Sequence, residues 1–278
     1  MPRSSLAAEL VVLHGPDAIA FAQSQFTCNV AALAPGHWCF GAWLDAHGRV
    51  LALFQLARAE PERLLLLLRG GTAQATCQAL RRYVFRARLQ LDAPAGWSVG
   101  DAPAQPLHQW TTDGNDMLFG GGNHAMRVSP PADDHAPQRP DCATTAVPAW
   151  RLEQLRAGWP WLAPALVGTL LPPWLALERL GAIAFDKGCY PGQEIVARLH
   201  WRGGNKRHLH HARLSAALTP GNVLRAAGQP IGEVVDCLPD GHGGHEALLV
   251  LHGIQHGAMR RTHDGAEVQI EGLRDFPS

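Results

Sequence analysis

The stretch from Phe185 to Arg198 constrains this chain more than any other. It places Lys187, Cys189, Gln193, Glu194 and Arg198 within twelve residues and punctuates them with Gly188, Pro191 and Gly192. Glycine tolerates positive φ and proline presets its own, so Gly-Cys-Tyr-Pro-Gly predicts a tight turn. Glu194 to Trp201 then predicts a helix, with Ile195 and Leu199 on one face and Glu194 opposite Arg198 at the i, i+4 spacing. Gly203-Gly204 ends it. Cys189 falls just ahead of a helix N-terminus, where unpaired N–H groups favour anions, and two residues from Lys187. Both features favour the thiolate, the nucleophilic form of cysteine. A small buried hydrophobe beside a shaped turn is the blander alternative. The density of charge around Cys189 favours a reactive thiol, with Lys187 tuning it.

The run Lys187-Gly188-Cys189-Tyr190-Pro191-Gly192-Gln193-Glu194, followed by Val196-Ala197-Arg198 and Arg202-Gly203-Gly204, resembles the signature of the YgfZ family. That family's usual pattern is K-G-C-Y/F-x-G-Q-E. Its members are folate-binding relatives of the aminomethyltransferase (T-protein) of the glycine cleavage system. The resemblance implies an α+β, aminomethyltransferase-like folate-binding fold with a small C-terminal β-barrel. It implies tetrahydrofolate, or a derivative, as cofactor, and iron–sulfur client or assembly proteins as partners. The signature loop would comprise Gly188, Tyr190, Gly192, Gln193, Glu194 and Arg198, with Cys189 and Lys187 as its chemical centre.

Three further segments carry the resemblance. Gly15-Pro16-Asp17-Ala18, leading to Gln23-Ser24-Gln25-Phe26-Thr27, is similar to the family's G-x-D-A…Q-G-Q-x-T-x-D, with Asn29 at the position of the last aspartate. An amide there can hydrogen-bond a pterin but cannot act as a base. Gly48-Arg49 matches the turn of a family hairpin, yet Val50-Leu51-Ala52-Leu53-Phe54 lacks the carboxylate that aminomethyltransferases carry early in the second strand. Trp150 to Gly158 is similar to R-L-E-A-G, with Arg156 where the pterin-anchoring glutamate would stand. A guanidinium suits a carboxylate tail better than a pterin amino group. The resemblance therefore assigns Gln25, Thr27, Asn29 and Arg156 to the cofactor and argues against methylene transfer.

The rest of the chain fits that frame. Leu10 to Leu13 reads as a strand, and Asp17 as the cap of a helix running to about Cys28. Cys39–Leu44 and Arg49–Ala57 alternate around Asp45-Ala46-His47-Gly48 as a hairpin. Arg63 to Arg69 and Arg86 to Leu91 are strands, with a helix from Thr72 to Arg82 between them. Asp92 to Leu107 reads as loop, Gly120-Gly121-Gly122 as a tight turn, and 129–146 as a linker rich in proline and small residues. Trp150 to Ala157 is a short helix, and Thr169 to Leu180 a second that opens on Pro172-Pro173. His208 to Leu214 alternates like a strand, so only His208 and His210 share a face. Short strands at 223–225, 231–237, 247–251 and 267–270 make up the barrel. The division expected is a folate-binding-like region at 1–205 and a barrel at 206–278.

Composition narrows the function classes. Among 278 residues, 24 basic side chains balance 24 acidic ones, so no nucleic-acid-binding surface is expected. Fifteen histidines make the charge steep in pH near neutrality. The six cysteines (28, 39, 77, 142, 189, 237) form no C-x-x-C, which predicts a reducing compartment and no resident metal or cluster motif. The longest aliphatic run, Leu64 to Leu68, is far short of the ~20 residues of a membrane span. Met1 to Glu9 lacks the features of a signal peptide, and a cytoplasmic protein without membrane contact is expected. The function that follows is a tetrahydrofolate-binding accessory factor for assembly or repair of iron–sulfur proteins, with Cys189 as reactive thiol. A folate-dependent aminomethyltransferase-like enzyme and a non-catalytic scaffold are the alternatives.

Overall fold

A computed structural model describes residues 6–131, 147–226, 228–253, 260–261 and 267–276. Most of the proposed linker at 129–146, and Cys142 with it, lies outside the described residues. The fold is mixed, with few helices and three antiparallel sheets.

In the N-terminal half, the chain runs β1 (Leu6–Ala7), β2 (Leu10–His14), α1 (Ala18–Gln25), β3 (His37–Leu44), β4 (Val50–Glu60), β5 (Arg63–Leu68), α2 (Ala73–Arg81) and β6 (Gln90–Asp92). It continues through β7 (Ser98–Ala102), β8 (Trp110–Asp113), β9 (Asp116–Gly120) and β10 (Ala125–Ser129). The first sheet has the order β3-β4-β5-β2-β6 and the second β1-β7-β10-β9-β8. Alternation along the first sheet sends Leu10, Val12, Leu65 and Leu67 into one core and Val11, Leu13, Leu64, Leu66 and Leu68 into another, under α1 and α2. Burial on both faces explains the unbroken leucine run of β5.

Beyond residue 146 come α3 (Ala149–Arg156), α4 (Gln193–Arg202) and the strands of a third sheet. These are β11 (Arg207–Leu214), β12 (Val223–Ala226), β13 (Gln229–Pro239), β14 (His245–His252), β15 (Arg260–Arg261), β16 (Glu267–Val268) and β17 (Ile270–Phe276). Their order is β16-β15-β12-β13-β14-β11-β17. Leu224, Val234, Leu249, Val268 and Ile270 share one apolar cluster, so strands from both edges of the sheet enclose a common interior. Residues on its other face, including Leu209, Val235, Leu248 and Phe276, join the core of the first two sheets.

Four expectations are corrected. Asp17 does not cap α1 through its side chain; its carboxylate accepts instead from the Arg88 backbone at 2.7 Å. The strand expected at Arg86–Leu91 reduces to β6, beginning at Gln90, because the Arg88 backbone N–H and carbonyl bond to Asp17 rather than to a neighbouring strand. The loop expected at 92–107 contains β7, whose Ser-Val-Gly-Asp-Ala has little strand propensity. Pairing with β1 on one side and β10 on the other imposes the strand. The helix expected at 169–180 is a single 3-10 turn, Pro172–Leu175. Two successive prolines remove donors, and Ala176 turns left-handed at φ 50°, which stops the helix.

Candidate functional site

The β3–β4 hairpin is the platform for the signature. Asp45 closes its turn, its Oδ1 accepting from the N–H groups of His47 (2.9 Å) and Arg49 (2.8 Å). Gly48 takes φ +77°. Gly192, at φ +76°, lies directly on this turn: a Cβ there would stand 2.5 Å from the Asp45 carbonyl oxygen and 2.8 Å from Gly48 Cα. Gly192 is also the N-cap of α4, and Ile195 in its first turn packs over Gly48. A Cβ at Gly188 would meet nothing within 4 Å. The two glycines thus do different work, Gly192 permitting a backbone contact and Gly188 leaving a loop open.

A second set of contacts stitches the approach to the signature onto the segment after α1. Thr27 Oγ1 donates to the Ala182 carbonyl at 2.6 Å and accepts from the Ala42 N–H at 2.9 Å. The Thr27 carbonyl accepts from Ala184 N–H at 2.8 Å. Lys187 Nζ then donates to the carbonyls of Phe26 (2.5 Å) and Cys28 (2.8 Å) and lies 5.2 Å from the centre of the Tyr190 ring. The ammonium is therefore committed to the 26–28 segment, where its field acts on the thiols of Cys28 and Cys39. Burial lowers the pKa of Lys187, against the charge of those thiols. Burial, with the negative charge of Cys28 next, pushes the Tyr190 phenol up to about 12.

Cys189 itself is exposed, beside exposed Gly188 and just before buried Tyr190. The turn holds it at the surface on a base fixed by Gly192, Tyr190 and Lys187. Gln193 donates its N–H to the Tyr190 carbonyl at 3.2 Å, closing the turn. Among the described residues, Glu194 and Arg198 form no ion pair with each other; both stand in solvent, where such a pair gains little. The side of α4 that turns inward carries Val196.

The residues assigned to the cofactor fall in two places. Gln25 ends α1 and Thr27 and Asn29 follow it, next to Lys187's acceptors. The Gln25 Oε1 is buried without a hydrogen-bond partner, an acceptor in need of a donor. Asn29 Oδ1 already accepts from Gln23 Nε2 at 3.1 Å and from Ala32 N–H, and the Thr27 hydroxyl is fully used within the chain. Arg156 lies elsewhere, at the end of α3, where its Nη2 donates to Glu246 of β14 at 2.7 Å. His211 of β11 reaches the same carboxylate at 2.7 Å. The histidines of β11 separate accordingly: His210 is buried facing Asp275, while His211 serves Glu246.

A cavity of about 760 Å³ opens between the first two sheets, walled by Trp97 and Trp110 and rimmed by His14, Glu60, Arg63 and Asp92. None of the signature or cofactor candidates lines it. A smaller one, about 370 Å³, lies along α4 between Phe185, Leu199, His200 and Asn205.

Two arrangements escaped the sequence reading. One is the contact between Cys28 and Cys39, which are eleven positions apart and meet only because the segment after α1 lies antiparallel to β3, as the Phe26–Trp43 bridge shows. The other is Arg69, fully buried, which donates to the side chains of Gln55 and Gln154 and to the carbonyls of Trp159 and Pro160. A lone arginine at the end of a leucine strand gave no sign of this.

Three antiparallel sheets around a shared core, with the signature helix docked on the tip of a hairpin, define an aminomethyltransferase-type fold. The solved aminomethyltransferase T of the glycine cleavage system from Bartonella henselae superimposes with a TM-score of 0.68 over 99% of this chain and 85% of its own, at 15% identity. In sequence, the chain is a relative of the YgfZ proteins. The tRNA-modifying protein YgfZ of Edwardsiella ictaluri is 28% identical over 230 residues, which cover 75% of this chain and 69% of that one. Its counterpart in Serratia proteamaculans is 27% identical over 237 residues, 76% and 70% of the two chains. An uncharacterized protein of Haemophilus influenzae is 27% identical over 201 residues, 72% and 68%. No family model matches the chain.

Proposed function

We propose that this chain is a tetrahydrofolate-binding accessory factor for the assembly or repair of iron–sulfur proteins, working through the thiol of Cys189. The observation that carries this reading is the exposure of Cys189 on a turn whose base is tied down on both sides. A thiol held at the surface in one place suits an encounter with a partner protein's thiol or metal centre. Tetrahydrofolate would supply a reduced pterin that carries one-carbon units. Gln25 and Asn29 are the residues that would hold it, Gln25 through its unpaired Oε1. Thr27 and Arg156, whose polar groups are engaged inside the chain, would act by shaping the surroundings. The tRNA-modifying relatives fit the reading if the client is a cluster-bearing enzyme that modifies tRNA. The reading places the protein in the cytoplasm, where its thiols stay reduced.

A transferase reading is weaker, because β4 opens with Val50-Leu51-Ala52-Leu53 and offers no carboxylate to a folate-bound carbon.

The test is rescue in cells that lack the endogenous counterpart, reading a [4Fe–4S] enzyme with the wild-type chain and with Cys189→Ser at equal expression. The expected result is restoration by wild type and a loss of about tenfold or more with serine. Equal rescue by both would sink the thiol role. Tetrahydrofolate binding is read separately by quenching of tryptophan fluorescence; Gln25→Ala is expected to weaken it by about tenfold, the cost of one buried hydrogen bond. Unchanged binding would remove Gln25 from the site.

A further inference from the structure

Cys28 and Cys39 meet inside the molecule, away from Cys189. Cys28 is 1% exposed and lies in the irregular segment after α1, over the face of β3 that carries Cys39 and Gly41. A Cβ on Gly41 would fall 2.7 Å from Cys28 Sγ, so the missing side chain makes room for that sulfur. The Phe26–Trp43 bridge sets Cys28 opposite Gly41, so Cys39, two positions back on the same face of β3, is its diagonal neighbour, and both pack in one apolar cluster. The Lys187 ammonium donates to the Cys28 carbonyl at 2.8 Å, so a cation stands beside the pair in a protected environment. Cys39 is half-buried, which leaves a way in from the surface. Cys77 provides the contrast: it is buried, and its Sγ donates to the Leu91 carbonyl at 3.3 Å rather than meeting a second sulfur.

We propose that Cys28 and Cys39 form a second thiol site, distinct from the signature cysteine, which a small hydroperoxide oxidises to an internal disulfide. The Cys39 thiol donates to Cys28 and favours its thiolate, burial opposes this, and the Lys187 charge adds to it; the same bond, burial and the Cys28 charge hold Cys39 well above the ordinary thiol range. This asymmetry, with the thiolate easier to form at Cys28 than at Cys39, suits two-step oxidation. The Cys28 thiolate attacks one oxygen of hydrogen peroxide; the O–O bond breaks, and the leaving hydroxide takes the proton Cys28 had released, giving water. Cys28 is now a sulfenic acid. The Cys39 sulfur attacks it, the S–O bond breaks, and hydroxide leaves with the Cys39 proton as a second water. Two thiols lose two electrons and one peroxide gains them. Cys28 is not part of a strand ladder, so its sulfur can close the remaining gap without breaking ladder bonds. Because Lys187 bonds to the Cys28 carbonyl, the disulfide would form at the point where the signature loop is anchored.

The test uses the full chain carrying Cys189→Ser, so that the exposed thiol is removed from the reaction. The reduced protein is treated with hydrogen peroxide, denatured, blocked with N-ethylmaleimide and weighed intact. It is then digested with trypsin and chymotrypsin together, because trypsin alone leaves Cys28 and Cys39 on one peptide. Two maleimide adducts should be lost, and the linked 28–39 peptide should appear about tenfold faster than Cys77 is oxidised. Dithiothreitol should restore both adducts. In Cys39→Ser, dimedone should trap a sulfenic acid on Cys28. The proposal falls if Cys28 and Cys39 both remain fully alkylated when Cys77 begins to oxidise, or if either is linked to another cysteine. The wild-type chain supports the same mass measurement should a variant fail to fold.

Discussion

Gly192 and Gly188 sit four positions apart in one signature and answer to different physics. Gly192 has φ +76° and a backbone pressed against Asp45 and Gly48, whereas a Cβ at Gly188 would enter open space. Gly192→Ala is expected to cost about 3 kcal/mol, from the left-handed backbone and the clash together. In a chain of this size that lowers Tm by about 6–12 °C. Gly188→Ala should shift Tm by less than about 2 °C. Thermal unfolding followed by circular dichroism decides; equal effects at the two positions would refute the account of Gly192 as the contact point. Residue type was legible in the signature, because glycine and proline announce a turn whatever surrounds them. The target of Lys187 was not. Sequence proximity suggests Cys189, but the ammonium donates to carbonyls about 160 positions away, because stitching through Thr27 brings that segment alongside.

At the scale of elements, α3 does the joining. Arg151 and Arg156 on it reach Asp236 and Glu246 of the third sheet, while Gln154 takes a hydrogen bond from Arg69 at the end of β5. Burial raises the Glu246 pKa, but hydrogen bonds from Arg156 and His211 outweigh it and hold the carboxyl below its ordinary value. Burial lowers His211 more than its bond to Glu246 raises it. The unfolded histidine, near 6.5, therefore takes up a proton first, and stability falls as pH drops below 6.5 towards the folded value. Glu246 contributes stability above its unfolded value of 4.5, and this is lost as pH falls further. Urea midpoints taken from about pH 7.5 to about pH 5.5 should fall less steeply for His211→Gln than for wild type. Parallel slopes would show that His211 does not carry the effect. Alternation on either side of the Asp45–Gly48 turn made the β3–β4 hairpin visible in sequence. Strand β7 and the 3-10 turn at Pro172 were hidden, because neighbours on both sides impose the first and a left-handed alanine ends the second.

For the whole molecule, the boundary that composition suggests and the boundary that packing respects need not coincide. A change in pattern near residue 205 separates a folate-binding-like region from a run of short strands, and we retain 1–205 and 206–278 as the proposed division by chain. Yet Leu209, Val235, Leu248, Val250 and Phe276 share a core with Leu10, Trp38, Phe40, Met126 and Trp150. The Arg151–Asp236 pair spans the same junction at 2.8 Å, with side chains only 9% and 6% exposed. Apolar surface buried across a junction couples the folding of both sides, since neither can unfold without exposing the other. Scanning calorimetry of the full chain should therefore show one transition whose van't Hoff and calorimetric enthalpies agree. Asp236→Asn leaves the buried guanidinium without its counter-charge, at a cost of about 3–5 kcal/mol. The single peak should then move down by about 10 °C without dividing. A variant whose peak splits, with the third sheet melting first, would show that the strands after residue 205 unfold as a separate unit and that the shared core does not bind the molecule together.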